Sequence, residues 1–214
     1  KTVYTIHNIE YQGKYDFKIL GDVFDLGPEY YSLMRYDDCI NLMKAAIECA
    51  DKVSTVSERY AEEIKTYEYS HGLSHILYRN AHKLTGILNG IDYDYYNPAK
   101  DNVLVKNYDR RGVIKGKAEN KMALQREYGL PERADVPMLA IISRLATHKG
   151  LDLVECVLEE LLATSDVQVV VLGSGDWQYE TFFNELSSKY PDKLAVKIAF
   201  VPSLASKIYG GSDI

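Results

Sequence analysis

Two cations stand close together in the stretch MLAIISRLATHKGLDLV, residues 138–154: Arg144 after a run of apolar residues, and Lys149 just before Gly150 and a second apolar run. The pattern predicts a buried strand, a short loop and a helix, with both cations at the joint. In open α/β sheets, ligands bind outside the carboxyl ends of the strands, where loops converge and helix N-termini present free N–H groups. A guanidinium fork, a compact ammonium and a helix N-terminus together suit a phosphate or diphosphate. The same spacing suits a plainer arrangement, in which Arg144 pairs with a carboxylate and Lys149 stands in solvent. Spacing alone leaves both open.

The next strand, VVVLGSGD, ends in Gly173-Ser174-Gly175 ahead of another helix. Glycines there let a backbone approach a ligand without an intervening Cβ, although a tight strand-to-helix turn needs them equally. No G-x-x-x-x-G-K-[ST] run is present, which argues against an NTP hydrolase. Other polar or aromatic residues are ambiguous by themselves. His7 reads as a core histidine at a strand end, Asn8 and Asn89 as turn formers, and Phe200 as the last core residue of a strand.

The elements that must position these residues alternate strand and helix. Strands are expected at residues 2–6, 52–57, 84–92, 138–142, 167–175 and 194–200. Helices are expected at 38–50, 57–67 with Ser57 as cap, 117–130 with Gly129 as C-cap, 151–164, 177–190 and 203–209. Residues 93–116 lack periodicity and form a long connection. Continuous Val/Ile/Leu strands separated by amphipathic helices indicate an α/β fold with a parallel sheet covered on both faces. The chain opens inside a β-rich run without Met, and Ser212 to Ile214 resemble the start of another strand, so the sequence reads as the middle of a longer one.

With 214 residues, 46% hydrophobic and 26% charged, the chain can bury one large core or two small ones. Its net charge of −6 argues against a general attraction to nucleic acid or anionic membrane, so any anion must be held locally. No apolar run approaches a membrane span. Cys39, Cys49 and Cys156 are odd in number, sit in apolar contexts and lack metal-ligand spacing. They are expected to be buried thiols of a reducing compartment, the cytoplasm.

The segments YTIHNIEYQG, ADKVSTVSERYAEEI, LTGILNGIDYDYYNPAKD, NKMALQREYGL, SRLATHKGLDLV and VVLGSGDWQYE follow one another as they do in bacterial glycogen synthases and plant starch synthases. HN-x-x-YQG and LNGID-x-D-x-x-NP are the specific motifs, and the resemblance spans essentially the whole chain. It implies a retaining glycosyltransferase of the GT-B type, two Rossmann-like domains that extend an α-1,4-glucan from ADP-glucose or UDP-glucose. Residues 1–84 would be the later part of the first domain and 85–214 the earlier part of the second. By the same resemblance Arg144 and Lys149 hold the donor diphosphate, and His7 faces the donor glucose. Asn8 is then a sugar contact or a turn former, Asn89 lies at the cleft between the domains, and Phe200 lies where the family has an aromatic against the base, while Gly173 and Gly175 are, from their pattern alone, a nucleotide contact or a tight turn. No metal and no cofactor is implied: Asp92-Tyr93-Asp94, the nearest thing to an Asp-x-Asp motif, falls in the family's interdomain segment.

This sequence departs from the family in small ways, with Tyr96 for the usual Trp and His148 for the usual Gln. The family's Lys-x-Gly-Gly loop would precede Lys1, and its E-P-x-G-L segment would follow Ile214. These residues alone are therefore expected not to transfer glucose, and to self-associate through unpaired sheet edges or exist only as part of a larger fold. Two other readings remain: a non-catalytic nucleotide- or glucan-binding fragment, and another retaining GT-B transferase such as a sucrose or trehalose-phosphate synthase.

Overall fold

The computed structural model describes residues 1–214, which form two compact units, Lys1–Ile91 and Asp92–Ile214. In the first, β1 (Val3–Ile6) pairs in parallel with β5 (Lys52–Thr55), and β5 pairs in parallel with β6 (Leu84–Gly86). β6, at the expected 84/85 boundary, belongs to this sheet, and the first compact unit runs on to Ile91. Alternation along β1 turns Tyr4 and Ile6 onto a core of Val53, Met43, Ile47, Ile64, Ile76 and Leu77. Those last residues come from or adjoin α3 (Leu42–Cys49), α4 (Glu58–Glu63) and α5 (Ser74–Arg79). Ser57 caps α4 as expected, its Oγ accepting from Tyr60 N at 3.0 Å.

Between β1 and α3 the chain makes an excursion through β2 (Lys14–Tyr15), α1 (Ile19–Asp22), α2 (Tyr31–Met34), β3 (Arg35–Tyr36) and β4 (Cys39–Asn41). β4 pairs antiparallel with both β2 and β3 around a small core of Leu20, Met34, Ile40 and Ala45. This corrects the helix expected from Asp38. Asp37 turns the chain in the left-handed region, φ 53°, and residues 39–41 are held in the small sheet. The helix starts only at Leu42, where Asn41 Oδ1 accepts from Lys44 N at 2.9 Å.

In the second unit, β7 (Met138–Ile142), β8 (Gln168–Gly173) and β9 (Leu194–Ile198) form a parallel sheet in that order, with β8 central and wholly buried. Val169 and Val171 face one core with α7 (Leu151–Thr164) and α8 (Trp177–Lys189). Val170 and Leu172 face another with α6 (Val113–Tyr128) and α9 (Pro202–Gly211). Two-sided burial explains why the strand reads as an unbroken apolar run. Gly129 ends α6 at φ 72°, and Asp213 N and Ile214 N donate to Met138 O while Ala140 N donates to Ile214 O. α6 begins before the expected Lys117, because Asp109 Oδ1 accepts from Arg111 N and Gly112 N and so organises the entry turn.

The cysteines are not buried as expected: Cys39 is half-buried, and Cys49 and Cys156 are exposed. Cys49 is the last residue of α3, and Cys156 lies off the Leu151–Leu158–Leu162 face by which α7 packs. No helix is long and apolar enough to cross a membrane.

Candidate active site

In the second unit the strand ladder continues past the formal end of β7. Ser143 N donates to Leu172 O at 3.2 Å, Leu145 N to Ser174 O at 3.0 Å, and Asp176 N to Leu145 O at 2.7 Å. Leu145 is fully buried in the core with α7 and α8, and side chains alternate along an extended segment, so Arg144 points away from that core and is exposed. Gly173 and Gly175 allow this close approach. A Cβ at Gly173 would collide with Ser143 O, and one at Gly175 with Leu145 O. The glycines therefore seat the Arg144 loop on the sheet whatever else they meet.

A cleft of about 200 Å³ opens at the carboxyl ends of the strands. Ile142, Leu172, Ala199, Val201 and Pro202 give it apolar walls, and Ser143, Arg144 and Ser174 supply polar groups. It brings Arg144, Gly173 and Phe200 together. Phe200 is 88% exposed, which rules out its plain reading as a core residue. Lys149 and Gly175 are not among the lining residues. Lys149 instead ends the 3-10 turn Thr147–Lys149 and is exposed, followed by Gly150 at φ 71° and the first turn of α7. His148 comes within 3.4 Å of Arg144, Nε2 to Nη2, a neighbour that sequence reasoning noted only as a substitution. Sequence reasoning also missed Glu180: its Oε1 accepts from Gly175 N at 2.8 Å. A carboxylate thus already occupies an amide of the glycine turn, and positive charge for an incoming anion is left to the Arg144 side.

In the first unit His7, Asn8 and Asn89 all follow the carboxyl ends of strands in one sheet: His7 and Asn8 come after β1, and Asn89 after β6. His7 and Asn89 are exposed. Asn8 Oδ1 accepts from Glu10 N at 2.9 Å, so its turn-forming role is realised while its amide NH2 group takes no part in that bond. The loop is anchored beyond this point. Ile9 N donates to Tyr60 Oη at 3.2 Å, and buried Gln12 donates to His71 O at 3.0 Å and accepts from Asn41 Nδ2 at 2.7 Å. Gln12 belongs to the YQG motif, and its burial supplies a physical reason for that motif: an amide that holds the loop carrying His7.

A family model described as the starch synthase catalytic domain matches residues 1–79. Glycogen synthase from Ligilactobacillus salivarius is 48% identical over 216 residues, covering 100% of this chain and 45% of the relative. The enzyme from Streptococcus equi subsp. equi is 47% identical over 218 residues, with the same coverage. Among solved structures, the catalytic domain of starch synthase IV from Arabidopsis thaliana bound to ADP and acarbose superposes with a TM-score of 0.88 at 32% identity, covering 99% of this chain and 44% of that one. The chain thus spans somewhat under half the length of the relatives it matches. With sequence identity and fold both running its full length, the chain belongs to the family of bacterial glycogen synthases and plant starch synthases and shares their α/β fold of the GT-B type.

Proposed function

We propose that this chain forms part of a cytoplasmic enzyme that moves glucose, with retention, from ADP-glucose or UDP-glucose to the non-reducing end of an α-1,4-glucan. The observation that carries the reading is the cleft at the strand ends, with Arg144 on its rim and the exposed Phe200 ring beside it. A related enzyme solved with ADP and acarbose, 32% identical, supports a nucleoside diphosphate and an oligosaccharide as ligands. Each unit is the part of a Rossmann-like domain.

The reaction breaks the bond between the anomeric carbon and a phosphate oxygen, and negative charge grows on the departing diphosphate. Arg144, Lys149 and the first turn of α7 stabilise that charge more than they stabilise the intact donor, which lowers the barrier. Phe200 stacks on the nucleotide base, and Gly173 and Gly175 keep the loop close to it. His7, with Asn8 and Asn89, faces the transferred sugar. Two cations and a helix N-terminus provide the charge, so the reading needs no metal and no cofactor.

The test is to supply an enzyme of full family length carrying this chain with ADP-glucose or UDP-glucose and glycogen, and to measure glucose incorporation. Incorporation from at least one donor, abolished by digestion of the product with an α-1,4-specific glucosidase, is expected. No incorporation from either donor overturns the reading.

A further inference from the structure

Arg144 lines the cleft at the strand ends, and its Nη2 lies 3.4 Å from Nε2 of His148, on the turn that also carries Lys149. We propose that His148 is a positioning residue for Arg144: its imidazole accepts a hydrogen bond from the guanidinium and steadies it for a nucleoside diphosphate. This rests on the reading of Arg144 as a group that holds the diphosphate, and it gives His148 no contact with donor or glucan.

The chemistry of the partners fixes the direction of this bond. A guanidinium has N–H donors and no acceptor, so a hydrogen bond between the two needs the lone pair of Nε2. The imidazole that makes it is neutral, with its proton on Nδ1. A neutral acceptor at this place brings no negative charge to compete with the incoming anion, as a carboxylate in the same position would.

Both residues stand on fixed backbone. On the arginine side, Ser143 N and Leu145 N bond to the β8 segment, and Ala146 N donates to Arg144 O at 3.0 Å. On the histidine side, Gly150 N closes the turn by donating to Thr147 O at 3.0 Å, and Thr147 Oγ1 accepts from Tyr179 Oη at 3.3 Å. Tyr179 is 1% exposed, in the core that α7 and α8 share, so the turn is tied to close-packed structure. With the two backbones fixed, it is the end of the long arginine stem whose freedom side-chain contacts must limit, and a guanidinium already oriented loses less entropy on meeting an anion. The bond from His148 is such a contact. It also links the loop bearing Arg144 to the turn bearing Lys149.

The experiment is calorimetric titration of the full-length enzyme with ADP and with UDP, the leaving groups of the two donors. It compares wild type, His148→Ala, His148→Asn, His148→Gln, Arg144→Ala and the Arg144→Ala/His148→Ala double variant. Gln places its Oε1 near the position of Nε2, whereas the Asn amide is one bond shorter and reaches only that of Nδ1. His148→Ala and His148→Asn should raise the Kd of the better-bound nucleotide about three- to tenfold, the scale of one hydrogen bond, while His148→Gln stays within about twofold of wild type. In the Arg144→Ala background His148→Ala should change nothing further, because the group that it positions is gone. In turnover assays the loss should appear in kcat at saturating donor, with the KM for glycogen unchanged. His148 is exposed, so all its variants should melt as wild type does. Equal effects of His148→Ala with and without Arg144 overturn the proposal, as does Arg144-dependent binding that His148→Ala leaves at the wild-type Kd. If no glucose is transferred while nucleotide binding keeps this dependence, the transfer reading fails and this one stands; nucleotide binding that ignores Arg144 overturns the assignment of Arg144 and this proposal with it.

Discussion

The carbonyl oxygen of Ser143 occupies the space that a side chain on Gly173 would need. The obstacle is backbone already bonded to β8 through Ser143 N and Leu172 O, so it cannot swing away as a side-chain tip would. Gly173→Ala should therefore cost about 1–3 kcal/mol, the usual range for overpacking, and displace the Arg144 loop. Gly129→Ala, at φ 72° with open space around it, should cost about 1–2 kcal/mol from backbone strain alone. Denaturant midpoints give both losses. Only Gly173→Ala should also raise the KM for donor; equal donor KM values for the two variants would refute the link between glycine and loop.

Arg144→Ala in the full-length enzyme should lower kcat by about 3 kcal/mol, on the order of a hundredfold, because the charge serves the leaving diphosphate more than the bound donor. Lys149→Ala should act in the same direction by less, since Lys149 does not line the cleft. Arg144→Lys keeps the charge without the planar fork and should fall between. Steady-state kinetics at saturating donor decide the matter; wild-type kcat in Arg144→Ala removes that residue from the mechanism.

Treatment with EDTA should leave turnover unchanged. The reading assigns the diphosphate to Arg144 and Lys149, whose charges do the work that an ion would otherwise do. Activity lost to the chelator and restored by Mg2+ or Mn2+ contradicts this.

Asp213 Oδ2 accepts from Lys121 Nζ at 2.7 Å and from Met138 N at 2.8 Å, tying the chain after α9 to α6 and β7. Burial pushes its carboxyl up, but these hydrogen bonds and the Lys121 charge outweigh burial and hold it below the ordinary carboxylate range. A depressed folded value means stability that is complete above the unfolded value, about 3.9, and lost as pH falls through the lower folded one. Asp213→Asn should destabilise the protein by about 1 kcal/mol at pH 7, a modest figure because the side chain is partly exposed. The gap from wild type should narrow towards pH 3. A gap independent of pH would show that the charge contributes nothing.

Tyr128 Oη is buried without a hydrogen-bond partner. Burial first, then the neighbouring Glu127 charge, push its hydroxyl up to about 12. Its neutral form is favoured in the fold, so this contribution is whole below about 10, the unfolded value, and is lost as pH rises through about 12. Tyr128→Phe removes an unsatisfied polar atom and should be neutral or stabilising by about 1 kcal/mol, with less loss of stability in alkali. Clear destabilisation at neutral pH would mean that the hydroxyl has a partner.

Local order was legible in the residues themselves. Helix α7 runs Leu151–Thr164 as the spacing of its leucines predicts, Ser57 caps α4, and Gly129 ends α6, because side-chain period, cap chemistry and left-handed glycine act within a few residues. The unbroken Val169–Leu172 run likewise announced a strand covered on both faces. Pairing partners and side-chain exposure were decided only by tertiary structure. Residues 39–41 fit a helical pattern, yet β2 and β3 recruited them into a sheet through hydrogen bonds from elsewhere in the chain. Arg144 and Lys149 are near neighbours in sequence, but extended backbone turns Arg144 to the cleft while a 3-10 turn carries Lys149 to a separate exposed position. Phe200 reached the same cleft as Arg144 because β8 sits between their strands in parallel register, a relation set by long-range pairing that no short window of residues contains.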